Sequence, residues 1–199
     1  FAQHRLGLYL DKNTNDVPQD SEPFVLSHLE RYQIQQSTIS QLLETGTVDN
    51  SLDQQIAASA YPLSPITEHQ IDDWQNQAID FTAVLKNHGA AQIVSEPIML
   101  EIGDLTLSAE LPMVSPDELL SWRLANMKGR DIVQLWLQHL MANSQRPVTS
   151  RGLFRGKDDS VDTLIMQPVT QARQILSDLF QLLQQGLSAP LFLPSECLL

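Results

Sequence analysis

The chain has 199 residues, of which 42% are hydrophobic, and a net charge of −12. This length allows one large domain with a buried core. The acidic balance argues against an isolated nucleic-acid binder, because phosphate contacts need clustered Lys and Arg. The one cysteine, Cys197, excludes an intrachain disulfide framework and fits a reducing compartment. No apolar run approaches the roughly 20 residues of a membrane span, and no signal peptide is recognisable.

The first part of the chain, residues 1–89, is predicted to be mainly helical. Thr67 is expected to cap its longest helix, which should end at Gly89. The spacing of apolar residues and the positions of Gly, Pro, Asn and Asp predict the other elements. These are helices over 1–10, 27–45 and 51–60, a loop over 11–20 and an extended link over 61–65.

The second part, residues 90–199, changes to a mixed pattern of strands and helices. Alternating apolar and polar residues predict a hairpin of strands 96–102 and 105–111 around Gly103-Asp104. The remaining predicted elements are a strand over 119–124, a helix over 130–141, short strands at 153–154 and 163–166, and a helix from Pro168 to Gln185 with Gly186 past its end. The sequence therefore predicts an α/β fold with a small mixed sheet flanked by helices.

Charged and polar side chains offer few candidate sites. The five histidines are scattered without metal-ligand spacing, so no zinc site is predicted. Asp117-Glu118 is an acidic pair that leaves a displaced metal site open. Two groups of basic residues are candidates for contact with a DNA backbone, although charged turns are often simply solvated. One group is Arg123, Lys128 and Arg130, and the other is Arg146, Arg151, Arg155 and Lys157.

Four short stretches resemble the RecC family, the gamma chain of bacterial exodeoxyribonuclease V, in its C-terminal part. They are Phe1–Leu6, Glu22–Phe24 with Leu29–Gln33, Leu120–Arg123 with Gln134–Leu140, and Gly186–Leu191. The resemblance implies a bacterial cytoplasmic protein that acts with RecB-like and RecD-like subunits on double-stranded DNA ends and unwound single strands. It implies no cofactor and no membrane contact. The apolar ends of the chain suggest truncation at both termini.

The resemblance also implies a degenerate restriction-endonuclease-like (PD-(D/E)XK) core. Active nucleases of this class hold Mg²⁺ with an Asp on one strand and an Asp or Glu on the next, where a Lys follows two residues later. Matching this chain to that motif assigns the three positions to Pro112, Ser121 and Arg123. Proline offers no ligand, serine is a poor substitute for a carboxylate, and arginine does not deprotonate as lysine can. No metal site and no catalytic residue are therefore expected.

Three functions remain open from the sequence. The first is a non-catalytic scaffold and DNA-guiding domain for the processing of DNA ends. The second is an active Mg²⁺-dependent nuclease with a displaced acid, and the third is a protein-interaction module without DNA contact. In the family, a projection from this domain acts as a pin that separates DNA strands. Two hairpins, Arg151–Asp159 and Glu96–Leu111, are candidates for that pin.

Overall fold

The computed structural model describes residues 27–48, 65–103, 105–157 and 160–189. Within this part of the chain, four helices flank a sheet of five strands. In chain order the elements are α1 (His28–Glu44), α2 (Pro65–Asn87), a 3₁₀ turn (Ala90–Gln92), β1 (Val94–Ile102), β2 (Leu105–Ser115), β3 (Glu118–Arg123), α3 (Gly129–Asn143), β4 (Thr149–Arg155), β5 (Val161–Met166) and α4 (Ala172–Ser188). The predicted mixed α/β class is confirmed.

The five strands lie in the sheet in chain order, but one pair is parallel. Strands β1, β2 and β3 form antiparallel pairs, with a register shift between Met113 and Ser115. Strand β4 then runs parallel to β3, so that Ser121 pairs with Gly152. A parallel pair needs a crossover connection, and α3 provides it. Strand β5 pairs antiparallel with β4 and completes the described sheet.

Helices α1 and α2 cover one face of the sheet. Helix α1 begins with a capping box, in which the Glu30 backbone N–H donates to the Ser27 hydroxyl and the Ser27 N–H donates to the Glu30 carboxylate. A hydrophobic cluster joins the helices to β3 and β4, and its members are Ile39, Ala78, Phe81, Leu85, Ala90, Leu120 and Leu153. Burial of each large apolar side chain contributes roughly 1.5–3 kcal/mol.

Helices α3 and α4 cover the opposite face. One cluster there joins α3 to the first three strands and to the residue before β4, through Ile98, Leu111, Met113, Leu119, Leu135, Ala142 and Val148. A second cluster joins α4 to α3 and β1 through Leu100, Leu140, Ala172 and Leu176. Gly152 lies where this packing is tightest, because a Cβ there would come within 2.8 Å of Leu135 Cδ2 and 2.7 Å of Phe154 Cε2.

Two of the predicted helix ends are wrong. Helix α2 begins at Pro65, which places Thr67 in its first turn instead of at the cap; proline suits the first helical position because its missing N–H is not needed there. Helix α4 begins at Ala172 rather than Pro168 and contains Gly186. The reason is that the Val169 N–H donates to the Asn143 side chain, which holds the preceding segment in a turn.

The other described elements match their predictions with shifted ends. Strands β1, β2, β4 and β5 are each longer than predicted, because backbone pairing extends past the residues with clear alternation. The predictions for 1–10, 11–20, 51–60 and most of 61–65 lie outside the described residues. The division of the chain into a helical part (residues 1–89) and a mixed part (residues 90–199) stays a prediction. In the described part, α1 and α2 share a hydrophobic cluster with the sheet.

None of the described helices is long and apolar enough to cross a membrane. This finding concerns residues 27–48, 65–103, 105–157 and 160–189 alone.

A buried polar pair joins α3 to β4. His139, only 1% exposed, shares a 2.8 Å hydrogen bond between its Nδ1 and the Ser150 hydroxyl. Asn143 lies one turn later and donates to the Val148 carbonyl at 2.9 Å, while its own oxygen accepts from the Val169 N–H at 3.1 Å. These bonds satisfy polar groups that would be costly to bury unpaired. They fix the end of the crossover helix against the strand that it positions.

Stability is expected to fall as the pH drops below neutrality, because of His139. Burial lowers the pKa of its imidazole from 6.5, while a hydrogen bond with the Gln167 backbone acts in the opposite direction. The unfolded chain therefore binds more protons at and below pH 6.5, so the free energy of unfolding decreases as pH falls through this window. Thermal unfolding between pH 7.5 and 5.5 measures the effect.

His139→Gln should flatten this pH dependence, although it also lowers stability at every pH. His69→Gln, at an exposed position of α2, is the matched control and should keep the dependence seen in the wild type. Equal pH dependence in the wild type and His139→Gln would show that His139 is not responsible.

Candidate functional site

The structure does not bring the three predicted nuclease positions together. Successive side chains of a strand point to opposite faces of a sheet. Ser121 and Arg123 lie on the face covered by α3, since Arg123 contacts Asp131 of that helix. Pro112 alternates with Leu111 and Met113, which pack against α3, and therefore faces α1 and α2. Strand alternation thus separates Pro112 from the other two positions.

Like Met113, Leu111 of β2 shares a face with Ser121 and Arg123. Its side chain is fully buried in the cluster beneath α3. An apolar side chain offers a metal ion no oxygen ligand. The site on this face therefore contains an aliphatic residue, a hydroxyl and a guanidinium where a nuclease needs two carboxylates and a lysine.

An ion pair fills the space beside Ser121. The Arg123 Nη1 donates to both carboxylate oxygens of Asp131, at 2.9 Å and 2.8 Å. Asp131 is nearly buried, with 9% of its side chain exposed, and Arg123 is 25% exposed. The carboxylate also accepts from the Lys128 backbone N–H at 2.9 Å. Charge-assisted bonds of this kind hold both partners in one geometry.

Asp131 was not among the residues predicted for the site. It lies in the first turn of α3, where a carboxylate is favourable because it satisfies a free N–H and complements the helix dipole. The sequence signal is an acidic residue three positions after Lys128. That signal indicates a helix start, but it does not reveal which strand residue the carboxylate will meet.

A small pocket of about 240 Å³, which we call the β3–α3 pocket, surrounds this ion pair. It opens between α1, the end of β3 and the first turns of α3. Its lining residues are Tyr32, Gln36, Ser121, Trp122, Arg123, Asp131, Gln134 and Phe154. Asp131 is the only carboxylate among these residues, and Arg123 neutralises its charge. The pocket therefore lacks the paired free acids that a divalent cation requires.

The two members of the Asp117-Glu118 pair, which the sequence leaves open as a displaced metal site, each accept a side-chain hydrogen bond. Asp117 accepts a hydrogen bond from the Ser115 hydroxyl at 2.6 Å, and Glu118 accepts from the Arg151 guanidinium at 3.0 Å. In the four described segments, no three His, Cys, Asp or Glu side chains are grouped so that they could hold a metal ion.

Some of the predicted DNA contacts are ion-paired with neighbouring strands. Arg151 bonds to Glu118, as described above. Arg146 donates to both carboxylate oxygens of Glu96, at 2.8 Å and 2.6 Å. The guanidinium holds the pKa of the Glu96 carboxyl below its usual value of 4.5, mainly through these hydrogen bonds. Arg146 joins the loop before β4 to β1, and Arg151 joins β4 to β3.

The other predicted basic residues lie near the carboxyl ends of β3 and β4. Lys128, Arg130 and Lys157 are exposed, and Arg155 is partly buried. A groove of about 670 Å³ opens here, and we call it the cationic groove. It is lined by His28, Arg31, Tyr32, Gln35, Arg123, Leu124, Ala125, Asn126, Lys128, Arg155 and Gly156. The α1 residues in this set were not predicted, because only the fold brings α1 to the strand ends.

Removal of the Asp131 charge should destabilise the fold. Asp131→Asn leaves the Arg123 guanidinium without its partner and weakens the start of α3, so we expect a loss of roughly 1–3 kcal/mol in the free energy of unfolding. Asp178→Asn, at an exposed position of α4, should change stability by less than about 0.5 kcal/mol. Urea unfolding of both variants tests this, and equal midpoints would contradict it.

Comparison with known proteins identifies the family. A family model for the RecC C-terminal domain matches residues 1–199. The chain is also 28% identical over 200 residues to the RecBCD enzyme subunit RecC of Escherichia coli (strain K12), in an alignment that covers 98% of this chain and 17% of that protein. The resemblance seen in the four sequence stretches is confirmed, and the chain belongs to the RecC C-terminal domain family.

Proposed function

We propose that this chain is a non-catalytic scaffold and DNA-guiding domain of a RecBCD-type helicase and nuclease, exodeoxyribonuclease V. The main support is that the matched positions of β3 hold Ser121 and Arg123, and that Arg123 is ion-paired with Asp131. Leu111, Ser121 and Arg123 share one face of the sheet. They do not fit a divalent cation, so no catalytic step is assigned to the chain.

The proposed fold is an inactive restriction-endonuclease-like core. In that class the first acid lies on one strand and the acid-x-lysine motif lies on the next. Strands β2 and β3 are antiparallel neighbours, which is the arrangement that such a motif needs. The crossover through α3 to the parallel strand β4 then places a helix start beside the motif. A domain of this class that has lost the acids would keep its fold but would not catalyse metal-dependent DNA cleavage.

The proposed setting follows from family membership. The relative from Escherichia coli is by name a subunit of the RecBCD enzyme, and this chain corresponds to 17% of its length. We therefore assign the chain a role in the processing of double-stranded DNA ends for recombinational repair, in the bacterial cytoplasm. Its proposed partners are RecB-like and RecD-like subunits, the DNA end and the unwound strands.

Exposed apolar side chains support the scaffold role. Helix α3 exposes Val133 by 52% and Leu137 by 40%, and α4 exposes Leu183 by 55% and Leu187 by 41%. Within each helix these residues are four positions apart and therefore lie on one side. Exposed apolar groups clustered in this way are typical of protein contact sites. We propose that a neighbouring subunit or another part of the parent protein packs against these exposed apolar side chains.

The strand-separating pin remains a choice between two hairpins. Both hairpins are present, since β1 pairs with β2 and β4 pairs with β5. Leu153 and Phe154 belong to the hydrophobic core and are 0% and 2% exposed, so they are not available to stack on a separated base pair.

The alternative function, an active nuclease with a displaced acid, has less support than the inert domain. Its candidate acid Glu118 is ion-paired with Arg151 across β3 and β4.

The chain is expected to leave DNA intact in the presence of Mg²⁺ or Mn²⁺. The reason is that Asp131, which is ion-paired with Arg123, is the one carboxylate among the described residues that line the β3–α3 pocket. Linear single- and double-stranded DNA should be incubated with the purified chain and either ion, and the products resolved on denaturing gels.

Three variants separate an intrinsic activity from a contaminant. Asp117→Asn, Glu118→Gln and Asp131→Asn each remove one carboxylate at the start of β3 or the start of α3. A contaminating nuclease would degrade DNA equally in all preparations. Metal-dependent degradation by the wild type that disappears in one of these variants would refute the non-catalytic proposal.

A further inference from the structure

The two outer strands of the described sheet, β1 and β5, differ in what their free edges offer. An edge strand presents a row of backbone N–H and C=O groups that can pair with another strand, and proteins usually block such edges. In an antiparallel strand every second residue directs its N–H and C=O away from the neighbouring strand. The residues near each edge then decide whether those groups stay available.

The edge of β1 is blocked along the middle of the strand. Pro97 has no N–H to offer, and proline within a sheet is typical of an edge strand. The carbonyl of Met99 accepts a hydrogen bond from the Gln145 side chain at 3.3 Å. The carbonyl of Glu101 accepts one from the Arg173 guanidinium at 3.1 Å. At three alternate positions, the outward backbone groups of β1 are therefore either missing or already bonded.

The edge of β5 directs the backbone groups of Val161, Thr163 and Ile165 outward. The Gly156 N–H donates to the Ser160 carbonyl at 2.8 Å, which extends the ladder between β4 and β5 in register. Hydrogen-bonded pairs recur at every second position of an antiparallel ladder, so the even-numbered residues of β5 bond to β4. The odd-numbered residues consequently direct their N–H and C=O groups away from β4.

The β5 edge lacks the devices that block β1. Its sequence, Val-Asp-Thr-Leu-Ile-Met, contains neither proline nor lysine, and its one charge belongs to Asp162. Within the described residues, no strand pairs with its outer side. Thr163 is exposed and Ile165 is 47% exposed, so the edge is accessible. β-Branched residues such as these favour extended backbone, and the edge is therefore suited to accept a further strand.

The outward residues of β5 are self-complementary. If two β5 strands are antiparallel about a twofold axis through Thr163, each Thr163 faces its counterpart and Val161 faces Ile165 of the other copy. These pairs are all of the hydrogen-bonded kind, and cross-strand contacts between β-branched side chains are favourable. Asp162 faces Leu164 in this register, so the two carboxylates do not oppose each other. The pairing also stops at two copies, because the β1 edge of each sheet is blocked.

We propose that β5 of this chain pairs antiparallel with β5 of a second copy, centred on Thr163, so that the two sheets become one continuous sheet. The occupant of the edge is thus a second copy of the chain and not an extended segment of another protein. This dimer goes beyond the proposed function and does not depend on it, because it uses neither the β3–α3 pocket nor the cationic groove.

Sedimentation velocity of the 199-residue chain from about 1 µM to about 200 µM tests the proposal, since a small interface forms a weak dimer. The wild type should change from monomer to dimer within this range. Ile165→Lys should weaken dimerisation by about tenfold or more, because lysine on an edge strand opposes pairing. Met99→Lys is the matched control, since Met99 is 68% exposed on the blocked edge and gains the same charge. This control should dimerise like the wild type.

Cysteine cross-linking tests the register. In a Cys197→Ser background, each new cysteine is the one thiol of its chain. The Cα atoms of a hydrogen-bonded antiparallel pair are about 5.5 Å apart, a distance that a disulfide spans. Mild oxidation should therefore link two copies of Thr163→Cys but not two copies of Asp162→Cys, because residue 162 does not face itself.

Thr163→Pro tests the backbone pairing itself. Proline removes the central outward N–H, which bonds to no described strand, so the variant should fold and remain monomeric at every concentration. Circular dichroism checks that the fold is retained. If Thr163→Pro fails to fold, Ile165→Lys and the cysteine variants still decide the question.

The possible results separate this dimer from the proposed function. A wild type that stays monomeric at the highest concentration would overturn the dimer and leave the β5 edge to a strand of another protein. Equal weakening in Ile165→Lys and Met99→Lys would show that association depends on charge and not on β5. Efficient cross-linking of Asp162→Cys would overturn the register. None of these results bears on DNA cleavage, which tests the non-catalytic proposal separately.

Discussion

The ion pair between Arg123 and Asp131 joins the end of β3 to the first turn of α3, and the site depends on this junction. Because α3 is the crossover to β4, its starting point fixes where the parallel strand can lie. The same pair occupies the space beside Ser121. One interaction therefore positions the crossover and neutralises Asp131, the one carboxylate among the described residues that line this pocket. Buried pairs of this kind are retained for geometry more securely than for stability.

Geometry and charge give the two neighbouring cavities different roles. The β3–α3 pocket is small and internally neutralised, so it contributes to structure. The cationic groove shares Tyr32 and Arg123 with that pocket, and its lining adds Arg31, Lys128 and Arg155.

The sequence predicted the order of the described elements well, since apolar spacing follows local geometry. The features that the sequence did not predict depend on contacts that local spacing does not reveal. Pro112 was assigned to the site by its place in a motif, but alternation along β2 turns it away and leaves Leu111 on that face. Pro168 suggests a helix start by local rules, whereas its neighbour Val169 is held by Asn143. The α1 residues of the groove became visible only with the fold, because the strand ends that they meet lie far away along the chain. Asp131 lies near Arg123 in the chain, but only the crossover geometry brings their side chains together.

Titration of the chain with Mn²⁺, followed by the electron paramagnetic resonance signal of the free ion, tests the central claim most directly. If the Arg123–Asp131 pair replaces a metal site, the wild type and Asp131→Asn should leave the same amount of free Mn²⁺ at micromolar concentrations. One ion bound by the wild type, lost in Asp131→Asn and kept in Asp117→Asn, would show that Asp131 is a metal ligand and would contradict the account.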